Sequence, residues 1–193
     1  MNYNLAAYKA SYGTSSQLPP SEHPEVAFAG RSNVGKSSLL NKLFNRKALA
    51  KVSSVPGKTS TINFFSVEDV DFVDLPGYGY AKVAKSEKAR WSELIEGYFN
   101  QERAFALVVS LIDIRHPATS LDEGMVEFLS DAGLPFVIVL TKADKLSNMQ
   151  RGKQVAALRK QLRLSKEQTV IACSAEKGIG IDELRKQIEA AVS

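Results

Sequence analysis

The chain has 193 residues and a mass of 21.1 kDa, and 44% of its residues are hydrophobic and 24% charged. This composition excludes disordered, collagen-like and coiled-coil chains, and the length predicts a single domain with a buried core. The net charge of +4 mildly favours an anionic partner, and the single cysteine, Cys173, excludes an internal disulfide and is interpreted as a buried thiol.

Residues 6–25, near the N-terminus, are rich in serine, glycine, proline and tyrosine. They show neither helical nor strand periodicity. We interpret residues 1–22 as an N-terminal arm and residues 23–193 as the functional domain. The domain opens with a buried strand at 25–29, a glycine turn, a helix at 37–44 and a long loop over 47–60. Residues 61–67 and 70–75 then predict the two strands of an antiparallel hairpin.

The second half alternates between helices and strands. A loop at 76–80 leads to a helix at 85–101, after which strands at 106–111, 135–140 and 169–173 alternate with helices at 121–132, 147–164 and 181–192. A capping box formed by Ser147 and Gln150 marks the start of the helix at 147. The alternation predicts an α/β domain with a six-stranded sheet, in which five strands are parallel and the hairpin strand is antiparallel, and with helices on both faces.

A glycine-rich loop between the first strand and the first helix fits the pattern G-x-x-x-x-G-K-[ST]. Its glycines let successive backbone N–H groups converge on a phosphate, and the helix N-terminus adds a favourable dipole. Lys36 is expected to reach the β- and γ-phosphates of a nucleotide, and the Ser37 hydroxyl to bind Mg²⁺. The predicted phosphate-binding residues are Gly30, Arg31, Ser32, Asn33, Val34, Gly35, Lys36 and Ser37.

A D-x-x-G sequence follows the hairpin and comprises Asp74, Leu75, Pro76 and Gly77. Asp74 ends a strand beside the predicted phosphates, where it can hold Mg²⁺ directly or through water. The Gly77 N–H can be offered to the γ-phosphate. These four residues are therefore predicted to contact the nucleotide and its metal.

A third motif predicts which base is bound. Thr141, Lys142, Ala143 and Asp144 follow a buried strand at the ligand-binding edge of the sheet. The Asp144 carboxylate can accept both the N1–H and the amino group of guanine, whereas adenine presents an acceptor at N1 and would be repelled. The stem of Lys142 can lie over the ring. Backbone N–H groups after the next strand can reach the guanine O6, and they belong to Cys173, Ser174 and Ala175.

Together these motifs make nearly the whole chain resemble the TRAFAC-class translation-factor-type GTPases, and more narrowly the EngB family. The narrow markers are residues 74–81, DLPGYGYA, and residues 113–117, DIRHP, followed by Asp122. The resemblance implies a Ras-like P-loop GTPase domain that binds GTP and GDP. It also implies a role in assembly of the large ribosomal subunit, with an indirect requirement in cell division.

The resemblance further implies a switch loop in which Thr59 binds Mg²⁺ beside Ser37 and Asp74 and touches the γ-phosphate. Thr61 is the alternative for this role, because the register of a loop is not fixed by its sequence. At Ser60 the chain departs from the glutamine expected in the family. The implied nucleotide-contacting residues of this loop are Gly57, Lys58, Thr59, Ser60 and Thr61.

The group that would position the attacking water is missing from its usual place. Many switch GTPases carry a glutamine directly after the D-x-x-G glycine, but this chain has Tyr78, so slow hydrolysis is expected without a partner or potassium. Asn33 either coordinates K⁺, as in potassium-stimulated relatives, or is a plain turn residue. The predicted catalytic residues are Lys36, Thr59, Gly77 and Asn33.

A run of basic residues covers the helix at 147–164 and its flanks, with Asp144 as its single acid. Val155, Leu158 and Leu162 share one helical face. The opposite face, which is predicted to meet solvent, carries Lys153, Arg159, Lys160 and Arg163. Such a surface either is simply solvated or binds ribosomal RNA of the large subunit or its precursor. The bases are Lys142, Lys145, Arg151, Lys153, Arg159, Lys160, Arg163 and Lys166.

Three other functions stay open on the sequence. The chain could be a GTPase coupled to RNA modification or to another partner, a small-molecule phosphotransferase, or a binding module that does not hydrolyse GTP. Asp144 and the D-x-x-G sequence disfavour the phosphotransferase. No membrane or DNA partner is expected, and a cytoplasmic location is expected, because the longest apolar run, residues 134–140, is short and neither a secretory signal nor a lipidation motif is present.

Overall fold

The computed structural model describes residues 1–51, 60–79 and 85–193. Within these ranges the helices are α1 (Lys36–Leu43), α2 (Lys85–Phe99), α3 (Ser120–Asp131), α4 (Asn148–Gln161) and α5 (Ile181–Val192). The strands are β1 (Ala7–Tyr12), β2 (Glu25–Gly30), β3 (Ile62–Val67), β4 (Val70–Asp74), β5 (Phe105–Asp113), β6 (Phe136–Thr141) and β7 (Val170–Ala172). None of the helices described combines the length and the apolarity that crossing a bilayer requires.

The strands of the described ranges form one sheet in the order β1-β3-β4-β2-β5-β6-β7. In this sheet order, the neighbours β4-β2-β5-β6-β7 pair in parallel. Strand β3 pairs antiparallel with both β4 and β1. Their registers bring the carboxyl ends together, since Phe28 lies opposite Asp74 and Asp113 lies opposite Thr141. The segments that follow β2, β4, β5 and β6 therefore meet at one edge of the sheet.

The predicted α/β architecture is confirmed, but the predicted count of six strands is wrong because the N-terminal arm supplies a seventh, β1. Most of β1 is exposed and a bulge interrupts its pairing between Tyr8 and Ala10, so its sequence lacks the alternation that a half-buried strand shows. Tyr8 and Tyr12 fix it through edge-on contacts with Phe65 and Phe64. The division into an arm and a domain at residue 22 stays a prediction.

Helices cover both faces of the sheet because the central strands are apolar on both sides. Val26 and Phe28 of β2 face a core shared with α1 and α5, whereas Ala27 and Ala29 face a core shared with α2 and α3. A third cluster joins α3 and α4 over β6. The capping box of Ser147 and Gln150 starts α4 as predicted, and an equivalent box, not predicted from the sequence, starts α3 at Thr119.

A buried ion pair lies at the edge of the sheet opposite the carboxyl ends. The Glu25 side chain is fully buried, and the Arg103 side chain is 2% exposed. The Arg103 guanidinium donates to both oxygens of Glu25, at 2.7 Å from Nη2 and 2.9 Å from Nε, and the Tyr98 hydroxyl donates to Oε2 at 2.8 Å. The buried negative charge of Glu25 is thus balanced by the Arg103 guanidinium, and both carboxylate oxygens accept hydrogen bonds.

Candidate functional site

The glycine-rich loop joins β2 to α1 at the carboxyl edge of the sheet, where the sequence places it. Asn33 and Gly35 adopt left-handed backbone conformations with φ of 63° and 102°. A Cβ at Gly30 would lie 2.9 Å from Val34 Cγ1 and 3.1 Å from Leu111 Cβ, so only glycine fits there. The loop therefore curls tightly in front of the α1 N-terminus, as phosphate binding requires.

A cavity of about 650 Å³ opens in front of this loop. Lys36 Nζ contacts Asp74 Oδ1 there, and the side chains of both residues are about nine-tenths buried. The Ser37 hydroxyl donates to the Lys51 carbonyl at 3.1 Å. The cavity thus combines an ammonium group suited to phosphate with carboxylate and hydroxyl oxygens suited to a divalent cation.

The residues before β3 form another wall of this cavity. Ser60 and Thr61 line it, and the Thr61 hydroxyl donates to Asn63 Oδ1 at 2.9 Å. Ser11 of β1 donates to the same oxygen at 2.6 Å, so the arm also reaches the cavity wall. Of the other predicted switch residues, Gly57, Lys58 and Thr59 lie outside the described residues, and the choice between Thr59 and Thr61 stays open.

The D-x-x-G loop is hydrogen-bonded to the glycine-rich loop. The Tyr78 N–H donates to the Gly30 carbonyl at 3.1 Å, and the Ser32 N–H donates to the Tyr78 carbonyl at 2.7 Å. A Cβ at Gly77 would lie 3.1 Å from Ser32 Cα, which explains the glycine at this position. The two loops are therefore joined directly through their main chains.

The Tyr78 side chain lies away from the larger cavity. It is buried, its hydroxyl donates to Asp122 Oδ1 at 2.7 Å, and its ring meets Trp91 edge-on at 5.7 Å between centroids. Burial, together with the neighbouring Asp122 carboxylate, raises the pKa of Tyr78 far above its ordinary value, so the phenol stays protonated. Its place in the core agrees with the expectation that Tyr78 does not orient the attacking water.

A second cavity of about 230 Å³ adjoins the first and shares Gly35, Ser38 and Lys142 with it. Asp144 lines this smaller cavity, and its Oδ1 accepts a hydrogen bond of 2.7 Å from the Ser174 hydroxyl. This hydrogen bond, with Lys145 nearby, lowers the pKa of Asp144 and keeps the carboxylate ionised. The smaller cavity is thus lined by an ionised carboxylate that can accept hydrogen bonds from a base.

The prediction that three successive N–H groups reach the base is wrong for two of them. The Cys173 N–H donates to the Leu140 carbonyl at 2.7 Å, and the Ser174 N–H donates to the Ile179 carbonyl at 2.9 Å. Both N–H groups are therefore already hydrogen-bonded within the sheet and the following turn. The N–H of Ala175, a residue that lines the cavity, is left to contact the base. The Cys173 thiol is buried as predicted, and burial raises its pKa to about 12.

Thr141 and Lys142 are hydrogen-bonded to the glycine-rich loop, a role that was not predicted from the sequence. The Thr141 hydroxyl donates to the Val34 carbonyl at 2.6 Å, and Lys142 Nζ donates to the Asn33 carbonyl at 2.9 Å. Lys142 Nζ also lies 3.2 Å from Asp113 Oδ2. Asp113 ends β5 opposite Thr141. Its position just after a predicted strand is the signal that could have identified Asp113 as a residue of the site.

Asp113 is held as an anion beside the loop. Burial alone would raise its pKa, but hydrogen bonds from Arg115 and the contact with Lys142 lower the pKa of Asp113 to about 2. The charges of Arg115 and Lys142 are thereby partly neutralised by a carboxylate that stays ionised over the physiological range. This arrangement fixes the ammonium group of Lys142 against the loop.

The basic run on α4 divides into two groups. Arg151 donates to the carbonyls of Ala143 and Leu146. Arg159 is half-exposed, and its guanidinium donates to the carbonyls of Ser165 and Gln168. A long guanidinium can reach around the end of a helix to carbonyls that need donors. The exposed bases of α4 and of the segment directly after it form what we call the α4 basic surface, namely Lys153, Lys160, Arg163 and Lys166.

Comparison with known proteins gives relatives over nearly the whole chain. Residues 25–142 match a family model described as "50S ribosome-binding GTPase". The "Probable GTP-binding protein EngB" of Desulforamulus reducens is 53% identical over 173 residues, covering 89% of this chain and 84% of that protein. The protein of the same name from an Exiguobacterium species is 46% identical over 194 residues, covering 100% and 98%.

Solved structures show the same fold at lower identity. A crystal structure of a probable GTP-binding protein engB aligns with a TM-score of 0.71 at 22% identity and covers 87% of this chain and 98% of that one. Aquifex aeolicus Era bound to GDP and AlF₄⁻ aligns with a TM-score of 0.67 at 23% identity and covers 88% and 56%. Both alignments support the Ras-like architecture.

Proposed function

The chain belongs to the EngB family of GTP-binding proteins and is a GTPase, and from this premise we propose that it is a Mg²⁺-dependent switch acting in assembly of the large ribosomal subunit. The observation that carries the guanine-nucleotide part is the pair of adjoining cavities. One presents Lys36 and the glycine-rich loop to phosphates, and the other presents the Asp144 carboxylate to a base. A cytoplasmic location, and a need for the protein in cell division that follows indirectly from ribosome assembly, belong to the same proposal.

Mg²⁺ fits the donors at the larger cavity. Ser37 at the start of α1 and Asp74 at the end of β4 both line this cavity and carry the hard oxygen atoms that Mg²⁺ prefers, and Thr59 or Thr61 would supply a third ligand. Asp74 is almost fully buried beside Lys36, so its carboxylate is held in place. When bound, Mg²⁺ would neutralise negative charge on the β- and γ-phosphates.

The residues of the chain contribute positioning and charge stabilisation rather than a general base. Lys36 would stabilise charge on the transferred phosphoryl group, and the Gly77 N–H would hold the γ-phosphate while a water molecule attacks. Tyr78 contributes no group to that water, because its side chain is in the core. We therefore propose slow intrinsic hydrolysis that a partner or a potassium ion accelerates.

Potassium stimulation can be tested at Asn33, whose exposed side chain borders the larger cavity. Because Asn33 has a φ of 63°, we choose Asn33→Gly, which removes the carboxamide without straining the backbone. We expect GTP hydrolysis to be faster in KCl than in NaCl at equal ionic strength, and this difference to vanish in Asn33→Gly. Asn45→Gly is the matched control, since Asn45 is left-handed too, with a φ of 51°. Equal rates of the parent in the two salts would contradict a role for potassium.

Ribosome binding is proposed for the α4 basic surface. Within the described ranges its four bases form no ion pair, which leaves their charges available to phosphates. The description of the matched family model as a 50S ribosome-binding GTPase supports a contact with ribosomal RNA. The same surface would be merely solvated in the alternative, a GTPase that acts on another partner, for example in RNA modification.

Charge reversal of this surface tests the proposal. We expect the triple change Lys153→Glu, Lys160→Glu and Arg163→Glu to weaken co-sedimentation with purified large-subunit particles in a GTP analogue. The slope of log affinity against log salt should become shallower by about 0.7 to 0.9 for each phosphate that the altered surface no longer neutralises. The change leaves Arg159 and its carbonyl contacts intact.

A matched triple on other faces controls for net charge, namely Lys47→Glu, Lys88→Glu and Lys186→Glu, which are all exposed. Equal weakening by the two triples would contradict the assignment of the α4 basic surface. Absence of co-sedimentation by the parent protein would favour the alternative without ribosome contact.

A further inference from the structure

An apolar groove runs between α2 and α3 on the face of the sheet that these helices cover. Its cavity is about 270 Å³, and we call it the α2–α3 groove; its lining includes Tyr78, Trp91, Ile95, Leu121, Gly124 and Phe128. Two of these side chains are large and open to solvent, since Leu121 is 46% and Phe128 40% exposed. Exposed apolar side chains that share one concave patch are typical of sites where another molecule docks.

Most of the charge beside the groove is negative, although Arg31 lies close to Leu121 at one end of it. Residues 91–102 and 119–131 contain no lysine or arginine, although the chain as a whole has a net charge of +4. Glu96 lines the groove itself. The exposed acids of the two segments are Glu93, Glu96, Glu102, Glu123, Glu127 and Asp131. A partner with an apolar row and positive flanks complements this surface, whereas the phosphates of a nucleic acid would be repelled.

The floor of the groove is connected to the nucleotide site. Tyr78 forms part of the floor, and its main chain is hydrogen-bonded to Gly30 and Ser32 of the glycine-rich loop. The Trp91 indole N–H donates to the Pro76 carbonyl of the D-x-x-G loop at 3.0 Å. A molecule in the groove would therefore lie against Trp91, whose side chain is hydrogen-bonded to the D-x-x-G loop, and over Tyr78, whose main chain is hydrogen-bonded to the glycine-rich loop.

We propose that the α2–α3 groove docks a cationic amphipathic segment of a partner protein. The apolar row of that segment would cover Leu121 and Phe128, and its lysines and arginines would face the acids of α2 and α3. This site is separate from the α4 basic surface, which has the opposite charge, so the two surfaces suit different components of a partner. The proposal uses only the family membership and does not depend on ribosome binding.

The protein carries its own probe, because Trp91 is its single tryptophan and lines the groove. We would titrate the GDP-bound protein with two helical peptides of about 18 residues that share one leucine stripe and lack tryptophan. One peptide has lysines flanking the stripe and the other has glutamates. We expect the lysine peptide to shift the Trp91 emission and to bind at least about tenfold more tightly than the glutamate peptide.

A matched pair of glycine substitutions locates the binding. Gly124 and Gly152 lie on α3 and α4, are both exposed, and an added Cβ at either would meet nothing within 4 Å. Gly124→Arg places bulk and positive charge in the groove, so we expect it to weaken binding of the lysine peptide by at least about tenfold. Gly152→Arg makes the same change outside the groove and should leave the affinity within about twofold of the parent.

Three results would overturn the proposal. They are an unchanged Trp91 emission with the lysine peptide, equal affinity for the two peptides, and equal effects of Gly124→Arg and Gly152→Arg. Circular dichroism of the two variants would show that both are folded, as the open space around the two glycines predicts. Co-sedimentation with ribosomal particles tests the proposed function independently, so failure of one proposal is distinguishable from failure of the other.

Discussion

The substitution Asp144→Asn is expected to lower the affinity for GTP and GDP by about 30- to 1000-fold, a loss of roughly 2–4 kcal/mol. The carboxylate supplies two acceptors to the N1–H and the amino group of guanine, whereas an amide supplies one acceptor and one donor. In the smaller cavity Asp144 is fixed by the Ser174 hydroxyl at 2.7 Å and stays ionised. The expected loss is therefore that of a preorganised, charge-assisted pair of hydrogen bonds.

Titration calorimetry with guanine and xanthine nucleotides measures this effect. Xanthine carries an oxygen in place of the amino group, so its nucleotides should bind more tightly to Asp144→Asn than to the parent. Asp182→Asn is the control, because the Asp182 side chain is 91% exposed and lies outside both cavities. Equal GTP affinity of Asp144→Asn and the parent would remove Asp144 from recognition of the base.

The second large effect concerns stability, and it is expected from Arg103→Met. This change should lower the free energy of unfolding by roughly 3–5 kcal/mol, because it leaves the fully buried Glu25 carboxylate without its charged partner. The Tyr98 hydroxyl would remain as a donor, but one neutral hydrogen bond does not compensate a buried charge. Methionine keeps most of the apolar stem, so the lost volume contributes little.

Chemical denaturation of the two proteins at neutral pH gives the difference. Lys177→Met removes a partner of Glu176 from a pair whose side chains are 64% and 63% exposed, and it should change stability by about 1 kcal/mol or less. The double variant Glu25→Gln with Arg103→Met should recover part of the loss, since it leaves no buried charge. A loss below about 1 kcal/mol in Arg103→Met would contradict the importance of this pair.

The regular elements of the domain could be predicted because each has a periodic apolar face or a buried run. The hairpin of β3 and β4 and the capped start of α4 are examples. Strand β1 could not be predicted, because it lies at the edge of the sheet and is mostly exposed. It is held by main-chain pairing with β3, about 55 residues further along the chain. Local sequence carries little information about such a long-range pairing.

The site shows the same division between local and long-range information. The motifs place Lys36, Asp74 and Asp144 correctly at the carboxyl edge of the sheet, since each motif directly follows a strand or opens a helix. The sequence could not show that the Cys173 and Ser174 N–H groups are consumed by neighbouring carbonyls, nor that Arg159 turns back to Ser165 and Gln168. These outcomes depend on which acceptors the folded chain brings close.

The pairing of β1 with β3 also bears on how the protein is made. The ribosome synthesises a chain from its N-terminus, so residues 7–12 leave the exit tunnel long before their partners at residues 62–66. The contacts of Ser15 with Glu93 and Gln101 require a segment that emerges later still. The arm can therefore join the sheet only after β3 has been synthesised, and Ser15 can make its contacts with α2 and Gln101 only later in synthesis.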